Sequence, residues 1–112
     1  MSNNSAAFLN GVPELLVLQC LRGREMYGYE LVQAIREATG DDIVFAEGVV
    51  YPVLHMLERD GALSARRQTV NGRSRIYYSL TETGGSRLAA LAATWRRLTA
   101  AIGSALGEPQ HA

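Results

Sequence analysis

The side chains of greatest chemical interest lie in one short stretch of the chain, residues 47–59. At helical spacing, one side of this stretch carries a phenol, an imidazole and a guanidinium together with a glycine and a proline. These residues are Gly48, Tyr51, Pro52, His55 and Arg59. An ordinary solvated helix face would carry mostly Glu, Lys and Gln. Hydrogen-bonding aromatic groups beside a residue that permits close approach indicate a face that contacts something.

The opposite side of the same stretch is apolar and predicts a buried helix stripe. The stripe consists of Val50, Val53, Leu54 and Leu57. Because a proline deep inside a helix costs about 3 kcal/mol, we expect the helix to begin near Gly48, with Pro52 at or just past its first turn. Gly61 then supplies the end of the helix.

Length and composition describe one globular domain of 112 residues. The lone Cys20 excludes an internal disulfide and fits a reducing compartment. The sequence has no long apolar run and no leader pattern, so we expect no membrane span and a cytoplasmic location. His55 has no acid or nucleophile beside it in the sequence, and no metal-ligand spacing or phosphate-binding glycine loop appears. We therefore expect neither an enzyme nor a cofactor.

The charge distribution is more informative than the net charge, which is zero. Residues 1–58 hold three arginines and eight acids, whereas residues 59–112 hold eight arginines and three acids, and the chain has no lysine. Arginine can fork onto phosphate or guanine edges as well as supply charge. The second half of the chain therefore favours a nucleic-acid partner, although a net charge of zero argues weakly against one.

Three elements are predicted before the central stretch. We expect Met1 to Ala7 to be loose, and a first helix to start at Asn10 or Gly11 with Pro13 in its first turn. A second helix should run from Tyr27 to about Thr39. The run Ile43 to Phe45 is too short for a helix and is predicted to be one small strand.

After Gly61 the apolar period changes to two, which predicts a pair of strands. Between the strands lies Asn71-Gly72, a pair that supplies the positive φ angles of a tight hairpin turn. Arginines lie close to the tip. Thr81 then caps a last helix, in which apolar residues recur at alternating steps of three and four, a coiled-coil-like seam. The seam consists of Leu88, Leu91, Trp95, Leu98, Ile102 and Ala105.

This order of elements describes a winged helix-turn-helix, an α+β fold that is mostly α, with a C-terminal dimerisation helix. We expect residues 8–80 to form the winged-helix DNA-binding domain and residues 81–106 the dimerisation helix, in one continuous unit. In such a fold the third helix enters the major groove of double-stranded DNA, and the hairpin reaches an adjacent groove or phosphate.

Four segments also carry a family resemblance. They are Leu16 to Leu21, Met26 to Leu31, Val50 to Gly61 and Arg75 to Gly84. With their Gly-Tyr-Glu, Tyr-Pro-x-Leu and Tyr-Tyr-x-Leu-Thr-x-x-Gly elements, these segments resemble the PadR family of bacterial transcriptional regulators. The resemblance implies a homodimeric repressor with a pseudo-palindromic operator. Two positions depart from the family pattern, since Val50 replaces a usual Leu and Met56 replaces a usual basic residue.

We predict a set of DNA-contacting residues from these patterns. Tyr51 and His55 should contact base edges or phosphates from the third helix. Tyr27 and Tyr29 open the second helix, where amides and hydroxyls can hold a phosphate, and one of the two tyrosines is expected in the core. The complete predicted set is Tyr27, Tyr29, Gly48, Tyr51, His55, Arg66, Arg73 and Arg75.

A second predicted set concerns dimerisation and a ligand. Trp95 most simply packs a dimer, and the resemblance implies that a tryptophan at this place can line a cavity between subunits for a flat aromatic effector. The complete set is Leu15, Leu16, Leu91, Trp95, Leu98 and Ile102. The competing interpretation is a winged-helix protein-interaction module without specific DNA binding, which the net charge of zero favours.

Overall fold

The fold is mostly helical, with one small sheet. The computed structural model describes the backbone of residues 3–108 and the side chains of residues 11–108. Its elements are α1 (Asn3–Cys20), β1 (Met26–Tyr27), α2 (Gly28–Ala38), α3 (Glu47–Arg59), β2 (Leu63–Val70), β3 (Arg73–Leu80) and α4 (Glu82–Ala105). The predicted α+β winged-helix class is confirmed, as are the positions of the second, third and last helices.

The beginning of α1 differs from the prediction. The helix starts at Asn3, and Pro13 lies inside it. The expectation of a loose segment is therefore wrong from Asn3 to Ala7, while Met1 and Ser2 lie outside the described residues. An internal proline removes one ladder hydrogen bond and disfavours helical dihedrals in the residue before it, yet the helix continues through Pro13. Ala6 and Ala7 favour the helical conformation.

In α3 the proline is placed as predicted. The helix begins at Glu47, so Pro52 lies just beyond its first turn. Val50, Leu54 and Leu57 are fully buried and Val53 is partly buried against the core, which confirms the apolar stripe. The polar side of the helix is left facing outward.

The short strand was predicted in the wrong place. Ile43 to Phe45 form no strand; instead, the Thr39 hydroxyl accepts a hydrogen bond from the Ile43 amide at 3.2 Å and so satisfies that amide outside a sheet. The strand that joins the hairpin in the sheet is instead β1, which pairs antiparallel with β3 through Met26↔Tyr78 and Tyr27↔Tyr77. The sheet order is β1-β3-β2. Two residues are too few to show an alternating pattern in the sequence.

The hairpin is confirmed in position and in turn chemistry. Asn71 and Gly72 both have positive φ, at 51° and 77°. The register runs from Val70↔Arg73 at the tip to Leu63↔Leu80 at the base. Since successive strand residues point to opposite faces, buried Tyr78 lies on the core side of the sheet and its neighbour Tyr77 on the outer side.

The core lies between the first three helices and the inner face of the sheet. Its fully buried residues include Val17, Leu18, Leu21, Leu31, Ile35, Leu54 and Leu57. At the start of α4, the Thr81 hydroxyl accepts a hydrogen bond from the Gly84 amide at 3.0 Å, which confirms the predicted cap. A Cβ at Gly84 would lie 2.1 Å from the Ala62 carbonyl oxygen, so this position requires glycine for close packing.

One arginine of α4, Arg87, connects this helix to two other parts of the chain. The Arg87 Nε donates to the Glu14 carboxylate of α1 at 2.6 Å, and another of its nitrogens donates to Asp60, just after α3, at 3.1 Å. The hydrogen bond that Arg87 donates to Glu14, together with the one that it donates to Asp60, raises the pKa of Arg87. The start of α4 is thereby tied to the end of the third helix. Among residues 3–108, no helix is long and apolar enough to cross a membrane.

Candidate nucleic-acid interface

A cleft opens where the start of α2, the outer side of α3 and the first half of β3 meet. Its volume is about 470 Å³, and we call it the tyrosine-arginine cleft. It is lined by Tyr27, Gly28, Tyr29, Tyr51, His55, Arg73, Ser74, Arg75, Ile76 and Tyr78. Six of the eight predicted DNA-contacting residues therefore lie together, although they come from four separate elements, β1, α2, α3 and β3.

The contact between Tyr51 and Gly28 sets the floor of this cleft. A Cβ at Gly28 would lie 2.5 Å from both Cζ and the hydroxyl oxygen of Tyr51, so the ring fits only because Gly28 has no side chain. His55 lies one helical turn further along α3, with its ring centroid 6.4 Å from that of Tyr51. The two rings therefore form one continuous surface on α3.

The environment of Tyr51 keeps its hydroxyl protonated. Partial burial, and then the neighbouring Glu47 carboxylate, raise the pKa of Tyr51 above its ordinary value. Because a phenol already titrates near pH 10, an upward shift leaves it neutral throughout the physiological range. Tyr51 is thus a hydrogen-bond donor that does not repel phosphate.

The two tyrosines at the start of α2 occupy different environments. Tyr29 is 52 % exposed. Tyr27 is partly buried on the outer face of the sheet, edge-on to Tyr77 with ring centroids 5.4 Å apart. The expectation that one of them belongs to the core is wrong, because both point away from the inner face of the sheet.

Arginines frame the cleft on the hairpin side. The Arg75 guanidinium lies 4.5 Å from the centroid of the Tyr27 ring, a cation-π contact that holds it at the mouth of the cleft. Arg73 lines the cleft next to Ser74. Ser74 also accepts a hydrogen bond from Arg67 at 3.1 Å across the hairpin.

The first turn of α2 adds backbone donors. The amide of Tyr27 donates to the Glu30 carboxylate at 3.2 Å. The amides of Gly28 and Tyr29 belong to a helix start, where no carbonyl of the same helix is available to accept from them. A helix start with such amides attracts anions, so this edge of the cleft suits a phosphate.

Two predicted residues lie outside the cleft. Arg66 is held by Glu25 on the outer face of the sheet, through hydrogen bonds of 3.1 and 3.0 Å from its Nε. Gly48 lines a different cleft of about 440 Å³ between α1 and α3, beside Pro13 and Met56. The structure does not bring Arg66 or Gly48 together with the other six residues.

Sequence reasoning missed several residues of this site. Gly28 and Ser74 line the cleft without a chemical group that would draw attention to them. A glycine between two tyrosines at a helix start was the available signal for Gly28. Glu25 is separated from Arg66 by 41 residues, and no local pattern connects them.

Comparison with known proteins identifies the family. The sequence profile of the transcriptional regulator PadR-like family matches residues 17–90, well over half of the chain. This chain belongs to the PadR family. It is therefore a PadR-family transcriptional regulator and not an enzyme, and the matched region contains the whole tyrosine-arginine cleft.

Relatives with names or structures agree with this assignment. The transcriptional regulator YqjI of Escherichia coli K12 is 32% identical to this PadR-family chain over 81 residues, which cover 72% of the chain but only 38% of YqjI. A crystal structure of a Streptococcus transcriptional regulator is 36% identical, with a TM-score of 0.71, and the match covers 87% of this chain and 94% of that one.

A third comparison concerns the fold alone. The PadR protein of Bacillus subtilis, whose structure was solved in complex with operator DNA, has a TM-score of 0.64 and 24% sequence identity to this chain. The match covers 69% of this chain and 44% of the Bacillus protein. Its winged-helix fold is shared by this PadR-family chain.

The residues predicted for dimerisation and ligand binding lie on α1 and α4 of this PadR-family chain. Leu15, Leu16 and Leu91 are partly buried against the core, whereas Leu98 and Ile102 are 42 % and 49 % exposed. Trp95 lies between these groups on α4 and is partly buried. The part of the predicted seam nearer the start of α4 thus packs against the core of the same chain, whereas the part nearer the end of α4 faces away from the core.

The fit of Tyr51 against Gly28 gives a stability prediction. In Gly28→Ala the new Cβ forces the Tyr51 ring to move, and we expect the free energy of unfolding to fall by about 1–3 kcal/mol, as is typical of overpacking. Urea denaturation measures the change. Gly48→Ala is the matched control, because it also adds a Cβ near a helix start but meets no atom within 4 Å. Equal losses in both variants would contradict the proposed fit.

Proposed function

We propose that this PadR-family chain is a DNA-binding transcriptional regulator, acting as a homodimeric repressor whose operator affinity is relieved by a small aromatic or hydrophobic ligand. One observation carries the DNA-binding part of the proposal. Six residues predicted to contact DNA converge on one cleft, although they come from β1, α2, α3 and β3. In the Bacillus protein, the same fold was solved with operator DNA.

The proposed binding mode follows from the geometry of the cleft. The outer side of α3 enters the major groove, where His55 contacts a base edge or a phosphate and Tyr51 donates its hydroxyl. Because Met56 replaces a basic residue, these two side chains carry most of the contacts from the helix. The first turn of α2 receives a phosphate near Tyr29.

The hairpin supplies the positive charge in this mode. Arg73 and Arg75 contact phosphates or the minor groove. Arg75 is already oriented by the Tyr27 ring, so little side-chain freedom is lost when it binds. On α3, Gly48 is exposed and leaves room for a close approach of DNA backbone to the start of the helix.

The dimer proposal rests on the exposed apolar end of α4. Leu98, Ile102 and Leu106 are between 42 % and 70 % exposed, at the spacing of one helix face. A second copy of the chain would cover this face, with residues 81–106 acting as the dimerisation helix and residues 8–80 as the DNA-binding domain. Two-fold symmetry then implies a pseudo-palindromic operator. Sedimentation at the mass of a single chain, across the concentrations used for DNA binding, would refute the dimer.

The effector proposal concerns Trp95, with Leu15 and Leu16 of α1 as the opposite wall between two subunits. A ligand bound there acts by favouring one separation of the two α3 helices over another. Titration with planar aromatic compounds should quench Trp95 fluorescence and weaken operator binding. If neither changes, the chain has no effector of this kind.

A protein-interaction module is the alternative function. The net charge of zero favours it. Salt-sensitive binding to duplex DNA with sequence preference distinguishes the regulator from such a module. As a regulator of chromosomal genes, the protein would act in the cytoplasm.

The role of Arg73 is tested by the salt dependence of DNA binding. Arg73→Ala should weaken binding about equally on all duplexes and reduce the slope of log affinity against log salt by about 0.9, the value of one neutralised phosphate. His55→Ala should instead change the sequence preference.

Fluorescence anisotropy at several salt concentrations measures both effects. Arg36→Ala is the control, because it removes the same charge at the last turn of α2, away from the cleft. If the slope of log affinity against log salt is unchanged in Arg73→Ala, Arg73 does not contact a phosphate. If His55→Ala loses the same affinity for specific and random duplexes, His55 contacts the DNA backbone and not a base edge.

A further inference from the structure

An ion pair crosses the outer face of the sheet. Glu25 immediately precedes β1, and Arg66 lies on β2, with β3 between them. The Arg66 Nε donates to both carboxylate oxygens of Glu25, at 3.1 and 3.0 Å, and a terminal nitrogen of Arg66 donates to one of them as well. The other terminal nitrogen donates to the Gln68 side chain at 2.6 Å. All three nitrogens of this guanidinium are therefore engaged within the chain.

The side chains of β3 make this contact across the sheet feasible. Ser79 and Ser64 are paired in the register and are small, which leaves the path between Glu25 and Arg66 open. Two residues further along each strand, on the same face of the sheet, Arg66 is paired with Tyr77, and its guanidinium carbon lies 4.8 Å from the centroid of the Tyr77 ring. Arg66 is thus held in a defined position by a carboxylate on one side and an aromatic ring on another.

The held arginine is close to the tyrosine-arginine cleft. Tyr77, which contacts Arg66, is edge-on to Tyr27 with ring centroids 5.4 Å apart, and Tyr27 in turn contacts Arg75 at the mouth of the cleft. Arg66 and Arg75 therefore occupy the two ends of one row of aromatic rings. A phosphate backbone that follows the outer edge of the sheet from Arg75 would pass toward Arg66.

A carboxylate and a phosphate compete for the same donors of arginine. Both accept two parallel hydrogen bonds from the guanidinium fork. The hydrogen bond from Arg66 lowers the pKa of Glu25, so the carboxylate is charged at neutral pH and cancels the charge of Arg66. Both side chains are substantially exposed, at 51 % and 39 %, where salt and water weaken such a pair.

We propose that Glu25 is an intramolecular competitor for DNA phosphate, which withholds Arg66 from DNA and lowers the affinity of this surface on all sequences alike. The inference rests on the proposed DNA-binding function. It replaces the direct DNA contact predicted for Arg66 with an indirect role. Sequence-independent affinity comes mainly from phosphate contacts, so withholding one of them weakens binding to the operator and to other DNA by the same factor and makes binding less sensitive to salt.

The test compares four forms of the full chain: wild type, Glu25→Gln, Arg66→Gln and the double variant. Binding to a random duplex and to a duplex selected from a library is measured by fluorescence anisotropy between 50 and 200 mM salt. In Glu25→Gln the slope of log affinity against log salt should steepen by about 0.9, for one additional phosphate. The gain in affinity over wild type should then be about three- to fourfold larger at the lower salt, on both duplexes.

The other variants separate release of Arg66 from simple loss of negative charge. Arg66→Gln alone should leave the slope unchanged, and the double variant should return to the wild-type slope. Glu37→Gln is the matched control, because it removes the same charge from an exposed position near the far end of α2. It should leave the slope unchanged. Circular dichroism melting confirms that each variant is folded.

Three results would overturn the inference while leaving DNA binding intact. They are a wild-type slope in Glu25→Gln, a gain that persists in the double variant, and a slope that is reduced in Arg66→Gln alone. The second would mean that Glu25 acts by its own repulsion of DNA, and the third that Arg66 already contacts phosphate. If the wild-type chain binds neither duplex, the proposed function itself fails, and this inference fails with it.

Discussion

The close approach of α3 to the start of α2 is the constraint on which the proposed interface depends. Tyr51 fills the space that a side chain at Gly28 would occupy, and this contact fixes the outer side of α3 beside Tyr29 and the first amides of α2. A larger residue at position 28 would separate the helices or displace the ring. The groups of α2 and α3 that we propose to face DNA are therefore held in one relative position because Gly28 has no side chain.

The electrostatics of this surface explain how a chain of zero net charge can have a nucleic-acid interface. Positive charge is concentrated on the hairpin. Aromatic rings orient its arginines, and acidic side chains neutralise the charge of some of them. Arg75 lies over Tyr27, whereas Arg66 is paired with Glu25. Neutral donors such as the Tyr51 hydroxyl add hydrogen bonds without adding charge. We propose that such a surface limits the sequence-independent attraction to phosphate.

Much of the fold follows from local rules, and the exceptions have identifiable causes. The hairpin was predictable because Asn71 and Gly72 supply its turn geometry, and α3 because its apolar stripe outweighs the single Pro52. The two-residue strand β1 was not, since only its pairing with β3 defines it. Six residues of the cleft were predicted from side-chain chemistry and helical spacing. The pairing of Arg66 with Glu25 and the role of Gly28 depend on contacts between distant segments, which no local pattern reveals.

The central claim is that DNA binds to the tyrosine-arginine cleft, and mapping of amide chemical shifts on a selected duplex tests it most directly. We expect the resonances that shift to come from the first turn of α2, the outer side of α3 and residues 71–76 of the hairpin. We expect little change in the second half of α4 beyond what dimerisation itself causes. Shifts confined to α4 or to the cleft between α1 and α3, with Tyr29, His55 and Arg73 unaffected, would contradict it.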